Sequence, residues 1–489
     1  MVNVGDYSYI SYIHTERDYT GKSFGVPNKT KSVRIRGVQK VITYVVISTT
    51  IAISVAYFVY SAYSKPGVKK LNESTSPVTI EERSPSTAPM PNTAYSLKTK
   101  YQIDTVDDGK ALGYTGQQKI AVDSLGNVYV SYRRKYKGNY EIFVTKIAKP
   151  GSEKQLVSKN NSPISIIGDG ATQRVPSITV SQTDVISVTW YGLDPNKKDL
   201  GRQIKYSQSA DGGGTWTKWK NISIVSGYDG EDYWQEHPQV TTDNNYVYIV
   251  WEGKDAKNDQ QQIKFSKSSD GGATFDEWKN LQPTPQNTQS RPSTLIDKNG
   301  WLHLFMYSSQ SMNDDVQQIW HSLSKDNGDT WSTWENVSRS KFDARHVSAV
   351  FDGSNIMAVW RQQAKEGGPS QLFYSIYSGS SWSKPKTVGV SVNYQLFPIL
   401  GLSGEGVFIT WVETLKDSDF PKDDPDGGLG YVSHYHKSEQ KFSKPLSLSP
   451  KQDILYPHIT TGNLDAVYLV YEKEFDDDYG IFLDILTVK

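Results

Sequence analysis

The sequence predicts an all-β protein, a seven-bladed β-propeller with four-stranded blades, preceded by a single transmembrane helix. Three observations lead to this fold. A turn octet occurs three times, a strand that ends in an aromatic residue occurs seven times, and one long stretch without charge precedes them all. The aromatic-ended strands return about every 50–60 residues, which is the length of a four-stranded blade.

The composition limits what the protein can do. The 489 residues include 53 Lys plus Arg and 53 Asp plus Glu, so the formal charge is zero and no basic excess indicates a nucleic-acid partner. There is no cysteine, which excludes disulfides, zinc–thiolate sites and a thiol nucleophile. The 31 Tyr and 13 Trp suit half-buried strands. Any catalysis must therefore use oxygen or imidazole groups.

Residues 41–63 contain no charged residue and are predicted to form the membrane anchor. A helix of this length covers about 34 Å, enough to cross a hydrocarbon core of about 30 Å. Tyr57, Tyr60 and Tyr63 lie at its far end, where interfacial aromatic residues are common. A cleaved signal peptide is the alternative, but the apolar stretch exceeds the usual length and follows a long tail of residues 1–40.

The charges on either side of the anchor predict its orientation. Five basic residues lie between positions 29 and 40, and three lie between positions 65 and 70. The positive-inside rule therefore favours a cytoplasmic tail over residues 1–40. Residues 64–94 are rich in Ser, Thr and Pro, as expected of an extended stalk. We expect a single-pass protein of the cell membrane that displays residues 95–489 outside the cell.

The repeated octet predicts a turn between two strands. It reads SADGGGTW at 209–216, SSDGGATF at 268–275 and SKDNGDTW at 324–331. Glycine takes positive φ angles, the Asp carboxylate accepts hydrogen bonds from the amides of the turn, and the aromatic ring packs on the sheet. Each octet is therefore predicted to form one corner of a blade.

The pattern S-x-D-x-G-x-T-[WF] resembles the Asp box, or BNR repeat, of the sialidase-like β-propellers. The resemblance covers about residues 101–489. It implies a propeller whose Asp boxes lie on the side of the disc opposite to the active site. The chemistry of the family is thus expected at the other edge of the blades.

Seven second strands and one incomplete last unit predict a closed ring. The last unit ends after its third strand, which would leave an exposed hydrophobic edge. We expect residues 101–107 (YQIDTVD) to supply the missing outer strand. The second strands end in aromatic residues expected to pack in the core: Tyr132, Trp190, Trp251, Tyr307, Trp360, Trp411 and Tyr471.

The ligand face is predicted where the first strands of the blades begin. Strand side chains alternate in direction, so only about half of the residues there can point into the axial funnel together. The sequence indicates a surface module that binds a glycan or a protein partner on this face. The polar residues at these strand entries are Arg174, Glu236, His237, Arg291, Arg345, His346 and Tyr456, and those predicted to bind the ligand are Arg174, His237, Arg291, Arg345 and His346.

The resemblance to sialidases implies an alternative, an exo-acting glycoside hydrolase. In that family three arginines clamp a carboxylate, a Tyr activated by a Glu is the nucleophile, and an Asp is the acid/base. Arg174, in QRVP, resembles the first arginine of the family, with Arg291 and Arg345 as further members of the clamp. Because the Arg-Val-Pro step occurs in the second of seven units, binding is favoured over hydrolysis; a polysaccharide lyase is a further alternative. The implied catalytic residues are Asp194 as the acid/base, Tyr456 as the nucleophile and Glu413 as its base.

We expect no cofactor. Asp423, Asp424 and Asp426 offer the oxygen ligands that calcium prefers. Their spacing does not complete an EF-hand loop, so a solvated acidic turn is favoured over a calcium site.

Overall fold

A computed structural model describes most of the chain after residue 94. No helix among the described residues is both long and apolar enough to span a membrane. The predicted anchor at 41–63, the tail and the stalk lie outside the described residues. Those are residues 95–113, 118–150, 157–158, 162–165, 172–194, 201–224, 233–243, 245–255, 258–281, 287–310, 316–404, 406–416, 428–451, 453–461, 466–475 and 478–488.

The described residues form seven antiparallel sheets, the blades of a propeller, which confirms the all-β, seven-bladed part of the predicted fold class. Each blade runs from an inner first strand to an outer fourth strand, which is short in blades one to six. Blade one contains β2 (Ile120–Val122), β3 (Val128–Tyr136), β4 (Asn139–Ile147) and β5 (Val157–Ser158). Blade two contains β6 (Gln173–Val180), β7 (Ile186–Gly192), β8 (Gln203–Ser209) and β9 (Lys220–Asn221). Blade three contains β10 (Gln235–Asp243), β11 (Tyr246–Asp255), β12 (Asn258–Ser268) and β13 (Lys279–Asn280).

The remaining blades repeat the same order, and blade six has an additional short strand. Blade four contains β14 (Gln289–Ile296), β15 (Leu302–Ser309), β16 (Gln317–Ser324) and β17 (Glu335–Asn336). Blade five contains β18 (Ala344–Phe351), β19 (Ile356–Gln363), β20 (Ser370–Tyr377) and β21 (Lys386–Thr387). Blade six contains β22 (Tyr394–Ser403), β23 (Gly406–Thr414), β24 (Leu429–His436), β25 (Lys441–Phe442) and β26 (Leu446–Ser447). Blade seven contains β27 (Ile454–Thr461), β28 (Ala466–Phe475), β29 (Asp478–Val488) and β1 (Tyr95–Val106).

Strand β1 closes the ring as its outermost strand in blade seven. It pairs with β29 over its whole length, from Tyr95 opposite Val488 to Val106 opposite Tyr479. The N-terminal strand therefore covers the edge that the last unit would otherwise expose. The predicted donor, residues 101–107, overlaps β1, although the strand begins six residues earlier than the predicted segment.

The core lies between the blades and is built on the predicted aromatic residues. Trp190, Trp251 and Trp360 are completely buried, and Trp411 is nearly so. Tyr307 is the exception, because it is only half-buried and contacts the ring of His346 in the next blade.

The three octets form the predicted turns. In the first, Asp211 accepts hydrogen bonds from the backbone N of Thr215 at 2.8 Å and from its Oγ1 at 2.7 Å. Gly213 has a φ of 87°, which glycine adopts without strain. The aromatic ring of each turn packs on the preceding blade, as when Phe275 of blade three meets Tyr206 of blade two at 5.0 Å. These turns therefore join neighbouring blades at the edge of the disc called here the turn face, defined by 209–216, 268–275 and 324–331.

Candidate functional site

The opposite edge of the disc, called here the bulge face, is defined by a bulge at the start of six first strands. Two residues there face one residue on the second strand. The first residue of each bulge has a positive φ, at a cost of about 1–3 kcal/mol for a residue other than glycine. Because this conformation recurs around the ring, it places six side chains beside the axis. The residues are Val175, His237, Arg291, His346, Phe397 and Tyr456, with φ from 44° to 55°.

A buried carboxylate connects two of these residues. His237 Nδ1 lies 2.7 Å from Oε1 of Glu252, the residue after Trp251 on β11. The other oxygen of Glu252 accepts a hydrogen bond from the backbone N of Arg291 at 2.5 Å. The guanidinium of Arg291 lies 4.0 Å from the same carboxylate. Glu252 thus ties blade three to blade four and fixes the backbone of Arg291.

Burial determines the charges of this group. It lowers the pKa of His237 to about 4, and the Arg291 cation acts in the same direction. Burial alone would raise the pKa of Glu252, but His237, Arg291 and their hydrogen bonds bring that pKa below its ordinary value. At neutral pH His237 is therefore neutral, Glu252 is ionised, and Arg291 is its counter-ion.

A second buried carboxylate lies where blade seven meets blade one. Glu472, which follows Tyr471 on β28, accepts hydrogen bonds from the backbone N of Leu112 at 2.6 Å and of Ala111 at 3.1 Å. Burial raises the pKa of Glu472 to about 7. Its carboxylate therefore holds the segment between β1 and blade one, and it is poised to titrate near neutral pH.

Lys119 of blade one brings a buried amino group to the axis. It is completely buried, and its Nζ donates a hydrogen bond to the carbonyl oxygen of Pro176. Burial lowers the pKa of Lys119 well below its usual value, and the charge of Arg291 lowers it further. Burial also lowers the pKa of His458, with Lys119 acting in the same direction. Because Coulomb interactions weaken with distance, Arg291 of blade four and Lys119 of blade one share the axial region.

Aromatic rings continue the bulge face through blades four to seven. The ring centroids of Tyr307 and His346 lie 5.9 Å apart, those of His346 and Phe397 5.5 Å, and those of Phe397 and Tyr456 5.6 Å. These separations are typical of favourable aromatic pairs. The bulge face thus has a charged half in blades one to four and an aromatic arc in the rest.

Three ligand atoms on the bulge face could hold a metal ion. Among the described residues, oxygen or nitrogen atoms of Glu236, His237 and Glu252 lie within 4.8 Å of one another. However, Arg202 forms an ion pair with Glu236, and Arg291 lies 4.0 Å from Glu252. Since each carboxylate already has a cationic partner, the geometry fits an ion-pair network better than a metal centre.

The predicted ligand-binding residues occupy two different positions. His237, Arg291 and His346 are bulge residues, as is Tyr456, whereas Arg174 and Arg345 come one residue before a bulge. Adjacent positions on a strand point to opposite sides. Arg345 also donates from Nε to Asp343 at 2.5 Å. The three predicted clamp arginines are therefore not at equivalent positions in their blades.

Asp194 lies in the interior of blade two. It is buried, and its charge raises the pKa of Lys205, which burial lowers to about 7. Blade three has a corresponding pair, in which Nζ of Lys264 contacts Oδ2 of Asp255 and both side chains are completely buried. Asp194 thus stands where this fold places the counter-ion of a buried lysine.

Glu413 is held within blade six. Its Oε1 accepts a hydrogen bond from Gln395 at 3.0 Å, and its Oε2 accepts one from Ser391 at 2.7 Å. Tyr456 is 1% exposed and packs against Phe397. Glu413 therefore has polar contacts, whereas Tyr456 has an aromatic one. The predicted calcium ligands Asp423, Asp424 and Asp426 lie outside the described residues.

No protein-family model and no curated protein matches the chain. Solved structures do resemble it. An ulvan lyase, described as a polysaccharide lyase bound to GlcA(1-4)Rha3S, has a TM-score of 0.53 and 12% identity and covers 78% of this chain and 94% of its own. A protein of unknown function from Dyadobacter fermentans has a TM-score of 0.46, 12% identity and coverage of 81% and 99%. The Trypanosoma rangeli sialidase has a TM-score of 0.44 and 13% identity and covers 64% of this chain and 54% of its own.

The similarity to the ulvan lyase indicates a shared fold. The identities are too low to carry residue roles from those proteins to this chain. The chain spans about half the length of the Trypanosoma rangeli sialidase.

Sequence reasoning missed four buried titratable residues beside the axis: Lys119, Glu252, His458 and Glu472. A signal for two of them was present, since Glu252 and Glu472 directly follow the aromatic residue that ends the predicted second strand. Other blades carry Arg133, Tyr191 and Arg361 at this position. An acid after a buried aromatic residue is thus a usable marker of the bulge face in this repeat.

Proposed function

We propose that the protein binds an acidic glycan on its bulge face, with Arg291 as the anchor for a carboxylate of the glycan. The observation that carries this proposal is the position of Arg291. Its side chain keeps 16% of its surface exposed, although its guanidinium is close enough to His237 and Lys119 to lower their pKa values. A partly exposed cation beside the axis is a site that a carboxylate can reach.

Arginine suits this role because of its shape. The planar guanidinium can donate two parallel hydrogen bonds to one carboxylate, which adds orientation to charge. The backbone of Arg291 is fixed by the bulge and by its hydrogen bond to Glu252. A fixed backbone reduces the entropy that is lost when the ligand binds.

Eliminative cleavage of a uronate polymer is a second candidate, favoured by the pair of His237 and Glu252. An arginine beside the uronate carboxylate makes the C5–H more acidic, and a neutral imidazole can accept that proton while the C4–O bond to the next sugar breaks and the leaving oxygen takes a proton from water. Glu252 would then stabilise the imidazolium through the 2.7 Å contact. The ulvan lyase with the same fold was solved with a saccharide that contains GlcA, a uronate. Hydrolysis of the sialidase kind has less support, because Glu413 is engaged within blade six.

The proposal is tested by binding a glucuronate oligosaccharide to the full chain by calorimetry. Arg291→Ala should lose about 2–5 kcal/mol of binding free energy, as expected when a largely buried charge pair is broken. Arg291→Lys should retain part of the affinity because it keeps the charge. Arg339→Ala is the matched control, since Arg339 is exposed and pairs with Glu335. Equal affinity of Arg291→Ala and the wild type would refute the proposal.

The second candidate has its own readout. Eliminative cleavage creates a C4–C5 double bond in the uronate, which absorbs ultraviolet light. The wild type should then produce absorbance with a uronate polymer, and His237→Gln should abolish it while the oligosaccharide still binds. Binding without any absorbance would support the binding function and contradict eliminative cleavage.

We also propose that residues 41–63 anchor the protein in the cell membrane, with residues 1–40 in the cytoplasm. The support is the charge-free stretch and the basic residues before it. Protease added to intact cells should release a fragment that begins within residues 64–94. Recovery of the intact protein in the soluble fraction would contradict the anchor.

A further inference from the structure

A polar cavity of about 710 Å³ opens on the turn face, at the opposite end of the first strands from the residues of the bulge face. Its volume is in the range of small-molecule sites. It is formed by the first hairpins of blades two, three and four together with the turn of blade four. The lining residues that matter below are Asp243, Tyr246, Asp297, Lys298 and Lys325.

Asp243 at the cavity differs from the aspartates of the other first hairpins. Asp123, Asp297 and Asp352 each accept hydrogen bonds from backbone amides of their own turn, and Asp184 accepts them from Ser124 of blade one. Asp243 occupies the corresponding position in the first hairpin of blade three. Within the described part of the chain its carboxylate makes no hydrogen bond or ion pair. Its oxygens are thus available to a ligand in the cavity, although the same type of residue serves the fold elsewhere.

The rest of the lining favours a neutral ligand with many hydroxyl groups. Two aspartates and two lysines face the cavity, so no net charge selects an ion. Four amide side chains add donors and acceptors: Gln182, Asn245, Asn299 and Asn327.

An aromatic surface is present in the same cavity. Tyr246 lines it and lies stacked on Tyr248, with ring centroids 5.7 Å apart and planes at 3°. A second ring is close, because Nζ of Lys325 lies 4.1 Å above the ring of Trp301. Tyr246 is half-buried, so part of its surface faces solvent. Such a ring offers an apolar contact at little entropic cost.

We propose that this cavity is a second binding site, which takes a neutral saccharide through Asp243 and its amide neighbours, with Tyr246 as the contact surface. A saccharide presents hydroxyl groups for the carboxylate and amides and a C–H face for the ring. This site is separate from the one proposed for an acidic glycan, because it lies on the other face of the disc. A protein with both sites would hold two glycans, or two parts of one, at once.

The test uses saturation-transfer NMR on the full chain with cellotriose, maltotriose and chitotriose as neutral probes. At least one of them should bind. Asp243→Asn and Lys298→Ala should each weaken that binding by about fivefold, the value of one net hydrogen bond. Tyr246→Ala should weaken it more, because it removes the contact surface. Lys298 is exposed, so its variant keeps the test valid if the Tyr246 variant does not fold.

The controls separate this site from the bulge face. Lys384→Ala, at an exposed position outside the cavity, should bind the probe as the wild type does. If the signal is lost in Arg291→Ala and kept in Asp243→Asn and Lys298→Ala, the saccharide binds on the bulge face and the proposal is wrong. Failure of all three probes to bind would also overturn it, whether or not a glucuronate oligosaccharide binds at Arg291.

Discussion

The two faces of the disc use charged residues in opposite ways. On the turn face, Asp211 and Asp270 are exposed and each accepts a hydrogen bond from an amide four residues later, at 2.8 Å. On the bulge face, Glu252 and Glu472 are buried and bond to backbone 39 and 360 residues away. The carboxylates of these two turns are satisfied locally, whereas Glu252 and Glu472 join distant parts of the ring.

This difference determines how much each charge matters for stability. Exposed charges are surrounded by water, and the turn amides lower the pKa of Asp211 to about 2 without any burial. Buried charges have lost their hydration and depend on their partners. Substitutions should therefore have large, pH-dependent effects near the bulge face and small ones on the turn face.

The largest effect is expected from Asp255→Ala. Asp255 lies at the end of β11, and its partner Lys264 is equally buried. Removal of the carboxylate leaves the lysine charge without its counter-ion, which should lower the free energy of unfolding by about 3–5 kcal/mol. Urea denaturation measures this loss.

A matched double variant checks the explanation for Asp255. Asp255→Leu with Lys264→Met removes both charges and should recover most of the stability, because apolar residues can replace a buried ion pair at little cost. The double variant also removes both hydrogen-bond partners of Asn280 and the cation–π contact of Lys264 with the ring of Trp278. If the double variant is no more stable than Asp255→Ala, the loss comes from packing rather than from the buried charge.

Glu472→Gln should change how stability depends on pH. Burial raises the pKa of Glu472 from 4.5 to about 7, so the folded state disfavours the ionised form. The free energy of unfolding contributed by this group is therefore highest below pH 4.5, and about 3 kcal/mol of it is lost as pH rises to 7. Denaturation at pH 5 and pH 8 should show less loss in the variant than in the wild type. Identical pH profiles would contradict this assignment.

His321→Phe should change the pH profile in the opposite direction. Burial lowers the pKa of His321 from 6.5 to about 3, with His303 acting in the same direction. Its contribution is present above pH 6.5 and is lost as pH falls, by about 2 kcal/mol at pH 5. The variant should lose less stability than the wild type between pH 7 and pH 5.

The pH slope is the decisive quantity for His321. Trp382 donates to Nδ1 of His321 at 3.3 Å, and Nδ1 of His303 lies 2.9 Å from Nε2 of His321, so the substitution also removes two hydrogen bonds at every pH. That loss shifts the whole profile without changing its slope. An unchanged slope would mean that His321 does not stay neutral in the folded protein. Because Glu472 and His321 act in opposite directions, the wild type alone cannot separate them.

The fold was predictable because its signals are local. The octets and the aromatic-ended strands repeat within each blade, and even the closure by β1 followed from one unit that lacked an outer strand. The bulge position could also have been predicted, because a proline follows His237, Arg291 and Tyr456. Tyr307 shows the limit, because a fully buried ring and a half-buried ring look the same in the strand pattern.

The site was predicted only in part because its contacts cross blades. Glu252 meets Arg291 only once blades three and four pack together, and no spacing within one blade indicates it. Asp194 and Glu413 were assigned by resemblance. In the structure, Asp194 interacts with the buried Lys205, and Glu413 accepts a hydrogen bond from the amide of Gln395. Repeated units place the same residue type at many equivalent positions, so type and position together do not identify a catalytic group.

The smallest effect is expected from Asp211→Ala on the turn face. The substitution removes the two hydrogen bonds from Thr215, but Asp211 is fully exposed and water can replace the carboxylate. Trp216 still packs against the core between blades one and two, so the turn should keep its position. The melting temperature of this variant should fall less than that of any variant above. The affinity of the protein for a glucuronate oligosaccharide, which depends on Arg291, should not change. Because folding lowers the pKa of Asp211 from 3.8 to about 2, even this small loss should vanish as pH falls through that interval. A loss as large as that of Asp255→Ala would show that the exposed turns, and not the buried charges, hold the blades together.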